Sequence, residues 1–134
     1  MITEWVPANA DSEAIDSAVL LQFAALAELV KDDTEAAKSQ IGESQLQQAQ
    51  GWIRLPESHW QEAIKSLPEK DLFPLARFFT LAEMQFPGWE CGASNPAIWL
   101  FRYMKAHDLL PEKAEIRALK AMTDNRFIPY GSVL

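Results

Sequence analysis

Apolar residues recur at helical spacing near the start of the chain, at Ile15, Val19, Phe23, Leu26 and Val30. Asp11 or Ser12 can cap such a helix, and the pattern ends near Asp33. The spacing therefore predicts an amphipathic helix over residues 11–33. Its alanines are small enough to let a second helix approach closely, either from the same chain or from a second copy in a homodimer. They are Ala18, Ala24, Ala25 and Ala27.

Further helical patterns follow, separated by glycine and proline. A short, partly exposed helix is predicted before Gly42, and a second stripe of apolar residues runs from there to Pro56. Helices that begin close to a proline are predicted over residues 56–67 and 68–86, and another from Pro111. No alternating run of β-branched residues is long enough to indicate a strand. The pattern predicts an all-α fold of about six helices.

The most apolar of these helices is predicted over residues 96–106. Asn95 can supply its N-cap oxygen, and Pro96 has the φ angle of a first helical turn. Between Ala97 and Met104 only Arg102 is charged, which leaves no broad polar face. A helix of this kind is normally buried on several sides. We therefore expect residues 96–106 to form a buried central helix within one compact bundle.

Both ends of the chain lack a helical pattern. Residues 1–10 are predicted to be an extended arm with Trp5 packed on the body. At the other end, Pro129 disfavours helix for the residue before it, so residues 124–134 are predicted to be an extended arm. This arm is too apolar to be a free tail, and we expect it to dock either in a groove of its own body or in a groove of a partner. On its own body it is expected near the loop of residues 89–95, with Arg126 beside an acidic residue. Residues 1–134 are then a single domain.

Charge is distributed unevenly along the 134 residues, whose net charge is −7. The first 50 residues contain nine acidic and two basic side chains, whereas the remainder contains ten of each. An acidic field of this kind favours basic partners and disfavours nucleic acid and anionic membranes. The single cysteine excludes an internal disulfide, and no apolar run is long enough to span a bilayer. We expect a soluble, cytoplasmic protein with no membrane partner.

Residues with catalytic chemistry are few. Cys91 precedes a predicted helix N-terminus, where the helix dipole can lower the pKa of a thiol, and His59 is the base available to it. His59 and Glu62 share a helical face, but two ligands do not make a metal site. We expect no catalytic residue, no metal and no cofactor. The alternative is an enzyme or small-molecule-binding protein with a pocket near Cys91 and His59.

Basic residues in the last third of the chain raise a nucleic-acid hypothesis. They are Arg102, Lys105, Lys113, Arg117, Lys120 and Arg126. The predicted helices in this part have lengths that suit a helix-turn-helix. Acidic residues are interspersed among the bases, and we expect most of the bases to pair with the acidic N-terminal helix. Nucleic-acid binding is therefore the third hypothesis, and we expect no nucleic-acid partner.

The absence of a catalytic motif, the acidic N-terminal half and the abundance of aromatic residues favour a protein-interaction module. We expect a non-catalytic adaptor or regulatory subunit that binds another protein. Its candidate interaction surface comprises the following residues of the 89–95 loop and the C-terminal arm: Trp89, Asn95, Arg126, Phe127 and Tyr130. An aromatic side chain with one polar end is a favoured anchor at such surfaces.

Overall fold

The structure is a computed structural model that describes residues 15–131. Eight α-helices and no strands occur in this part of the chain, which confirms the predicted all-α bundle. The helices are α1 (Ser17–Ala25), α2 (Ala27–Asp32), α3 (Thr34–Ile41), α4 (Glu43–Trp52), α5 (Glu57–Lys65), α6 (Leu72–Gln85), α7 (Pro96–Ala106) and α8 (Lys113–Lys120). The predicted N-terminal arm of residues 1–10, with Trp5, lies outside the described residues, as do residues 132–134. Within the described range, every helix is too short or too polar to cross a membrane.

The first predicted helix is two helices in the structure. Asp16 caps α1, because its side-chain oxygen accepts the Ala18 N–H at 2.9 Å. The helix is interrupted at Leu26, and α1 and α2 both pack against α6. No glycine or proline marks this position, so the sequence pattern contains no sign of the break. The predicted start at Asp11 or Ser12 is wrong, because residues 15 and 16 are not helical and the extended Asp16 caps a helix that begins at Ser17.

The alanines of this region divide between two faces. Ala24 and Ala27 are buried in the core, whereas Ala18 and Ala25 are exposed. Part of the small-residue surface that the sequence offers to a homodimer is therefore used inside the bundle. The homodimer itself stays a prediction.

Helices α6 and α7 form the centre of the bundle. Helix α6 packs against α1, α2 and α7, and eight of its fourteen residues are buried. Helix α7 begins as predicted, with the Asn95 side chain accepting the Ala97 N–H at 2.8 Å and Pro96 in the first turn. It buries its apolar residues on one side but leaves Arg102 and Lys105 exposed on the other. That exposed side belongs to the candidate site described below.

An aromatic cluster fills the core around Phe78. Its ring stacks on Phe23 with centroids 4.4 Å apart, and it meets Phe79, Phe86 and Trp89 edge to face. Edge-to-face and offset contacts of this kind are the favoured arrangements of aromatic rings. The cluster joins α1 and α6 to the loop that follows α6. Most of the aromatic residues of the sequence are thus explained by packing.

The C-terminal segment packs on the body of the protein, but its path is turned rather than extended. Asn125 Oδ1 accepts the Phe127 N–H at 2.8 Å, and the Gly131 N–H donates to the Phe127 carbonyl at 2.6 Å. These bonds close turns over residues 126–130, where the Ile128–Pro129 peptide is cis. Ile128 is only 2% exposed, and Lys120 Nζ donates to its carbonyl at 2.6 Å. Local hydrogen bonds from Asn125 and Gly131 therefore override the extended path that Pro129 suggests.

Deleting residues 127–134 should lower the thermal midpoint by at least about 5 °C, because burial of Ile128 alone contributes roughly 2 kcal/mol. Circular dichroism at several protein concentrations measures this change. An unaltered midpoint would contradict the docking of the segment. A matched control, Lys113→Ala on the exposed side of α8, should leave the midpoint within about 1 °C.

Candidate functional site

The five residues of the predicted interaction surface lie in different environments. Trp89 is 3% exposed and belongs to the aromatic cluster, and Asn95 is fully buried as the cap of α7. These two side chains cannot meet a partner directly, because the core already encloses them. Arg126 is exposed, while Phe127 and Tyr130 are half-buried. Only the C-terminal part of the predicted surface is accessible.

Arg126 does not pair with an acidic residue in the described part of the chain. Its guanidinium lies over the ring of Phe127, 5.3 Å from the ring centroid. The expected location beside the 89–95 loop is nevertheless correct, since Asn125 Nδ2 donates to the Gly92 carbonyl at 2.9 Å. The segment therefore meets the loop through Asn125 rather than through Arg126.

Glu83 connects three parts of the chain that are distant in sequence. One carboxylate oxygen accepts the backbone N–H groups of Cys91 and Gly92 at 2.9 and 2.8 Å. The other accepts the side-chain amides of Asn95 and Asn125, both at 2.8 Å. A single carboxylate on α6 thus holds the loop, the cap of α7 and the C-terminal segment together. Sequence reasoning missed Glu83. The signal that could have found it is a lone carboxylate on an otherwise apolar helical turn.

The hydrogen bonds around Glu83 also keep it ionised. Burial by itself raises the pKa of this carboxyl group. Hydrogen bonds from the Gly92 and Cys91 amides, and then from Asn95 and Asn125, outweigh burial and leave the pKa below its ordinary value. Glu83 is therefore a charged structural acceptor, and all four of its partners stabilise the ionised form.

The environment of Cys91 disfavours the thiolate, whereas a position before a helix N-terminus would by itself favour it. Burial raises the pKa of its thiol to about 12, and the nearby Glu83 carboxylate adds to the increase. The expected lowering by the helix N-terminus is overturned, because desolvation and a neighbouring negative charge both oppose a thiolate. His59 is exposed on α5. Neither residue lines the groove or the cleft described below, and the alternative of a pocket near Cys91 and His59 stays a prediction.

We expect Cys91 to react slowly with thiol reagents in the folded protein. A pKa of about 12 in place of 9.0 leaves roughly a thousand-fold less thiolate at neutral pH. Reaction with a chromogenic disulfide should be at least about a hundred-fold slower in the native protein than in urea at the same pH. Equal rates in the two states would contradict the raised pKa.

Metal-ligating residues do not converge within residues 15–131. No group of three or more histidine, cysteine, aspartate or glutamate side chains is placed to hold a metal ion there. Glu62, which shares a helical face with His59, forms an ion pair with Lys65 at 3.5 Å. Glu62 therefore pairs with Lys65 at the surface, and in the described chain His59 and Glu62 are not part of a set of metal ligands.

A groove runs between α5 and α7, which pack against each other. One section of about 330 Å³ is lined by Glu57, Gln61, Ile64, Trp99, Arg102, Tyr103 and Ala106. An adjoining section of about 400 Å³ is lined by Gln61, Glu62, Lys65, Tyr103 and His107. Both sections are lined by Gln61 and Tyr103, so they are neighbours, and we call the two together the α5–α7 groove.

The α7 wall of the groove presents Trp99, Arg102 and Tyr103. The Arg102 guanidinium lies 5.1 Å from the centroid of the Trp99 ring, and its Nε donates to the Tyr130 carbonyl at 3.0 Å. Its Nη1 donates to Glu57 on the opposite wall, also at 3.0 Å. The rings of Tyr103 and His107 stack with centroids 4.1 Å apart. Each of these groove side chains thus has at least one neighbour that restricts its orientation.

Two features of the groove bear on what it can bind. Its charges are already balanced, since Glu57 pairs with Arg102 and Glu62 pairs with Lys65. The Trp99 indole Nε1 is inaccessible to solvent and has no hydrogen-bond partner among the described residues. An unsatisfied buried donor is unfavourable, but a ligand in the groove cannot reach this atom unless the indole moves.

A second concave surface lies where the C-terminal segment meets α6 and the loop. We call it the C-terminal cleft, and it measures about 300 Å³. It is lined by Glu83, Met84, Glu90, Gly92, Asp124, Asn125, Arg126 and Phe127. Met84 is 43% exposed, and the only other large hydrophobic residue exposed in the described chain is Leu21 on α1.

Among the described residues, the basic residues of the last third of the chain form no ion pair with the acidic N-terminal helix. Arg102 pairs with Glu57, Lys105 lies over the Tyr130 ring, and Lys120 donates to three carbonyl groups of residues 125–128. These three bases therefore contact α5 and the C-terminal segment.

Comparison of the chain with protein-family models, curated proteins and solved structures finds no match.

Proposed function

We propose that this protein is a non-catalytic interaction module, an adaptor or regulatory subunit of the cytoplasm, that binds another protein in the α5–α7 groove. The observation that carries the proposal is the presence of Trp99, Arg102 and Tyr103 together on the open side of α7. Tryptophan, tyrosine and arginine are the residues that contribute most to binding energy at protein interfaces.

The arrangement of these side chains favours binding over catalysis. Arg102 is held by Glu57, the Tyr130 carbonyl and the Trp99 ring, so little conformational entropy is left to lose when a partner binds. Its charge is paired, and the groove offers neither a nucleophile with a lowered pKa nor a group of metal ligands in the described chain. A docked partner needs neither of these and benefits from a preformed surface.

The spacing along both walls suits a helical partner. Residues Gln61 and Lys65 on α5, and Trp99 and Tyr103 on α7, are separated by one helical turn. A third helix has ridges of the same spacing, so its apolar residues at positions i and i+4 can pack between the walls.

A photo-crosslinking amino acid in place of exposed Gln61 tests the proposal. We expect it to capture a protein in cells, whereas the same amino acid at exposed Gln47 of α4 should not. Trp99→Ala with Tyr103→Ala should lower the yield of this crosslink at least about ten-fold, which corresponds to a binding loss of 1.4 kcal/mol or more. Thermal melting of the variant establishes that the loss is not due to unfolding.

Equal capture from positions 61 and 47, or a crosslink that survives loss of both aromatic side chains, would contradict the proposal. A small molecule retained by the native protein and released by Trp99→Ala would instead favour the small-molecule alternative, at the groove rather than near Cys91 and His59. The section lined by Trp99 and Arg102 is large enough for such a ligand.

A further inference from the structure

The C-terminal cleft is lined by both apolar and acidic side chains. Met84 and Phe127 supply the apolar part of the lining, and Phe127 is half-buried. Glu90 and Asp124 are exposed carboxylates in the same lining. Methionine adapts its shape to different apolar partners, which makes it frequent at peptide-binding surfaces.

The cleft has a negative balance of charge. Three carboxylates line it, those of Glu83, Glu90 and Asp124, against the single guanidinium of Arg126. Glu83 is occupied by four hydrogen bonds, so Glu90 and Asp124 are the acids that a ligand can reach. Arg126 lies over Phe127, and nearby Lys120 is directed to carbonyl groups of the C-terminal segment. Arg54 also approaches the acidic side, where its guanidinium donates to the Gly88 and Glu90 carbonyl groups. The carboxylates of Glu90 and Asp124 form no ion pair with a described residue.

The frame beneath the cleft is held firmly. Asn125 donates to Glu83 and to the Gly92 carbonyl, while its own oxygen accepts the Phe127 N–H. This network positions the backbone of Phe127, which lines the cleft together with Met84 of α6. A surface whose shape exists before binding loses less free energy when a ligand docks.

We propose that the C-terminal cleft binds a basic segment of a partner protein, with one apolar side chain between Met84 and Phe127 and flanking lysine or arginine residues beside Glu90 and Asp124. This surface is separate from the α5–α7 groove and does not depend on it. Charge complementarity selects the occupant, because the acidic lining repels nucleic acid and anionic lipid alike. The described carboxylates are also not grouped around one point as a metal ion requires.

Titration with a fluorescein-labelled peptide of one leucine flanked by three lysines on each side tests this inference. We expect saturable binding that weakens as salt increases, and chemical-shift changes at the amides of Met84, Glu90 and Phe127. Replacing the leucine by glycine, or the lysines by glutamates, should weaken binding at least about ten-fold, since the proposal requires both parts of the ligand. No saturable binding, or equal binding of these peptides, would overturn it.

Charge-reversal variants separate local recognition from the overall negative charge. Glu90→Lys and Asp124→Lys should each weaken the lysine peptide about five- to ten-fold, because each turns an attraction in the cleft into a repulsion. Glu43→Lys on α4 changes the net charge equally and should alter the affinity less than about two-fold. An equal loss with Glu43→Lys would show non-specific attraction and overturn the inference.

The apolar part of the cleft has its own control. Met84→Gln should weaken the leucine-containing peptide at least about three-fold, because it removes an apolar contact, whereas Leu21→Gln on α1 should have no effect. Binding that is lost with Trp99→Ala but retained with Met84→Gln would place the basic segment in the α5–α7 groove. That result overturns the inference while leaving the proposed function intact.

Discussion

Replacing Glu83 by alanine is expected to lower the free energy of unfolding by about 3–5 kcal/mol, close to the total stability of many small domains. The reason is that four hydrogen bonds are lost at once, one of them from the buried Asn95 amide. The Cys91 and Gly92 N–H groups lose their acceptor, whereas the side-chain amides of Asn95 and Asn125 each keep one bond to a backbone carbonyl. The loop, the cap of α7 and the C-terminal segment should all loosen. Urea denaturation followed by circular dichroism measures the loss.

Two controls accompany this variant. Glu83→Gln retains one acceptor oxygen but turns an amide toward the remaining donors, so we expect a smaller loss of about 1–3 kcal/mol. Glu90→Ala removes an exposed carboxylate from the same cleft and should change stability by less than about 0.5 kcal/mol. If Glu83→Ala were no more destabilising than Glu90→Ala, the central role of Glu83 would be wrong.

The contribution of Glu83 should also depend on pH. Its pKa in the folded protein lies below the ordinary value of 4.5, so the unfolded chain binds this proton more readily. The stabilisation is therefore fully present above about pH 4.5 and is lost as the pH falls through the folded pKa. The difference in unfolding free energy between the native protein and Glu83→Gln should be constant near neutral pH and shrink under acid conditions. A difference that grows on acidification would contradict the sign of the shift.

The Phe78→Ala substitution should destabilise the protein by about 3–5 kcal/mol, because it leaves a cavity in a close-packed core. Phe78 is fully buried and contacts four other aromatic rings, so few neighbours can move into the space. Loss of the Phe23 stack should also separate α1 from α6. Urea denaturation measures the loss of stability. The near-ultraviolet signal of Trp89 and its neighbours reports the separation of α1 from α6.

The matched control for Phe78→Ala is Phe73→Ala, at a position five residues earlier on α6. Phe73 is half-buried and has a single ring contact, with Phe101 at 6.1 Å. Because its site is open to solvent on one side, Phe73→Ala should cost less than half as much as Phe78→Ala. A larger loss at Phe73 would show that the aromatic cluster is not the centre of the core.

Elements with strong local signals were predictable from the sequence. Helix α7 is one example, because Asn95 and Pro96 mark its start and its apolar content makes burial the favourable outcome. The break at Leu26 was not predictable, since no local signal interrupts the apolar pattern there. It arises because α1 and α2 each pack against α6, and packing free energy outweighs helix continuity.

The two candidate sites were also predictable only in part, because residue spacing is visible in the sequence and burial is not. Trp99, Arg102 and Tyr103 lie at helical spacing, but sequence periodicity does not tell which of the apolar faces of α7 remains open. Trp89 and Asn95 were assigned to the candidate interaction surface, yet they are buried by the aromatic cluster and by the Glu83 network. Glu83 itself acts through partners eight to forty-two residues away in the chain.

Sequence alone determined the all-α class, the start of α7 and the acidity of the first 50 residues, because helix periodicity, capping and charge are properties of neighbouring residues. Only the tertiary structure decided that Glu83 joins three segments, that the thiol of Cys91 is difficult to ionise, and that the α5–α7 groove and the C-terminal cleft remain open. These properties depend on distances between residues far apart in the chain. Burial and hydrogen bonding across those distances arise only when the helices pack.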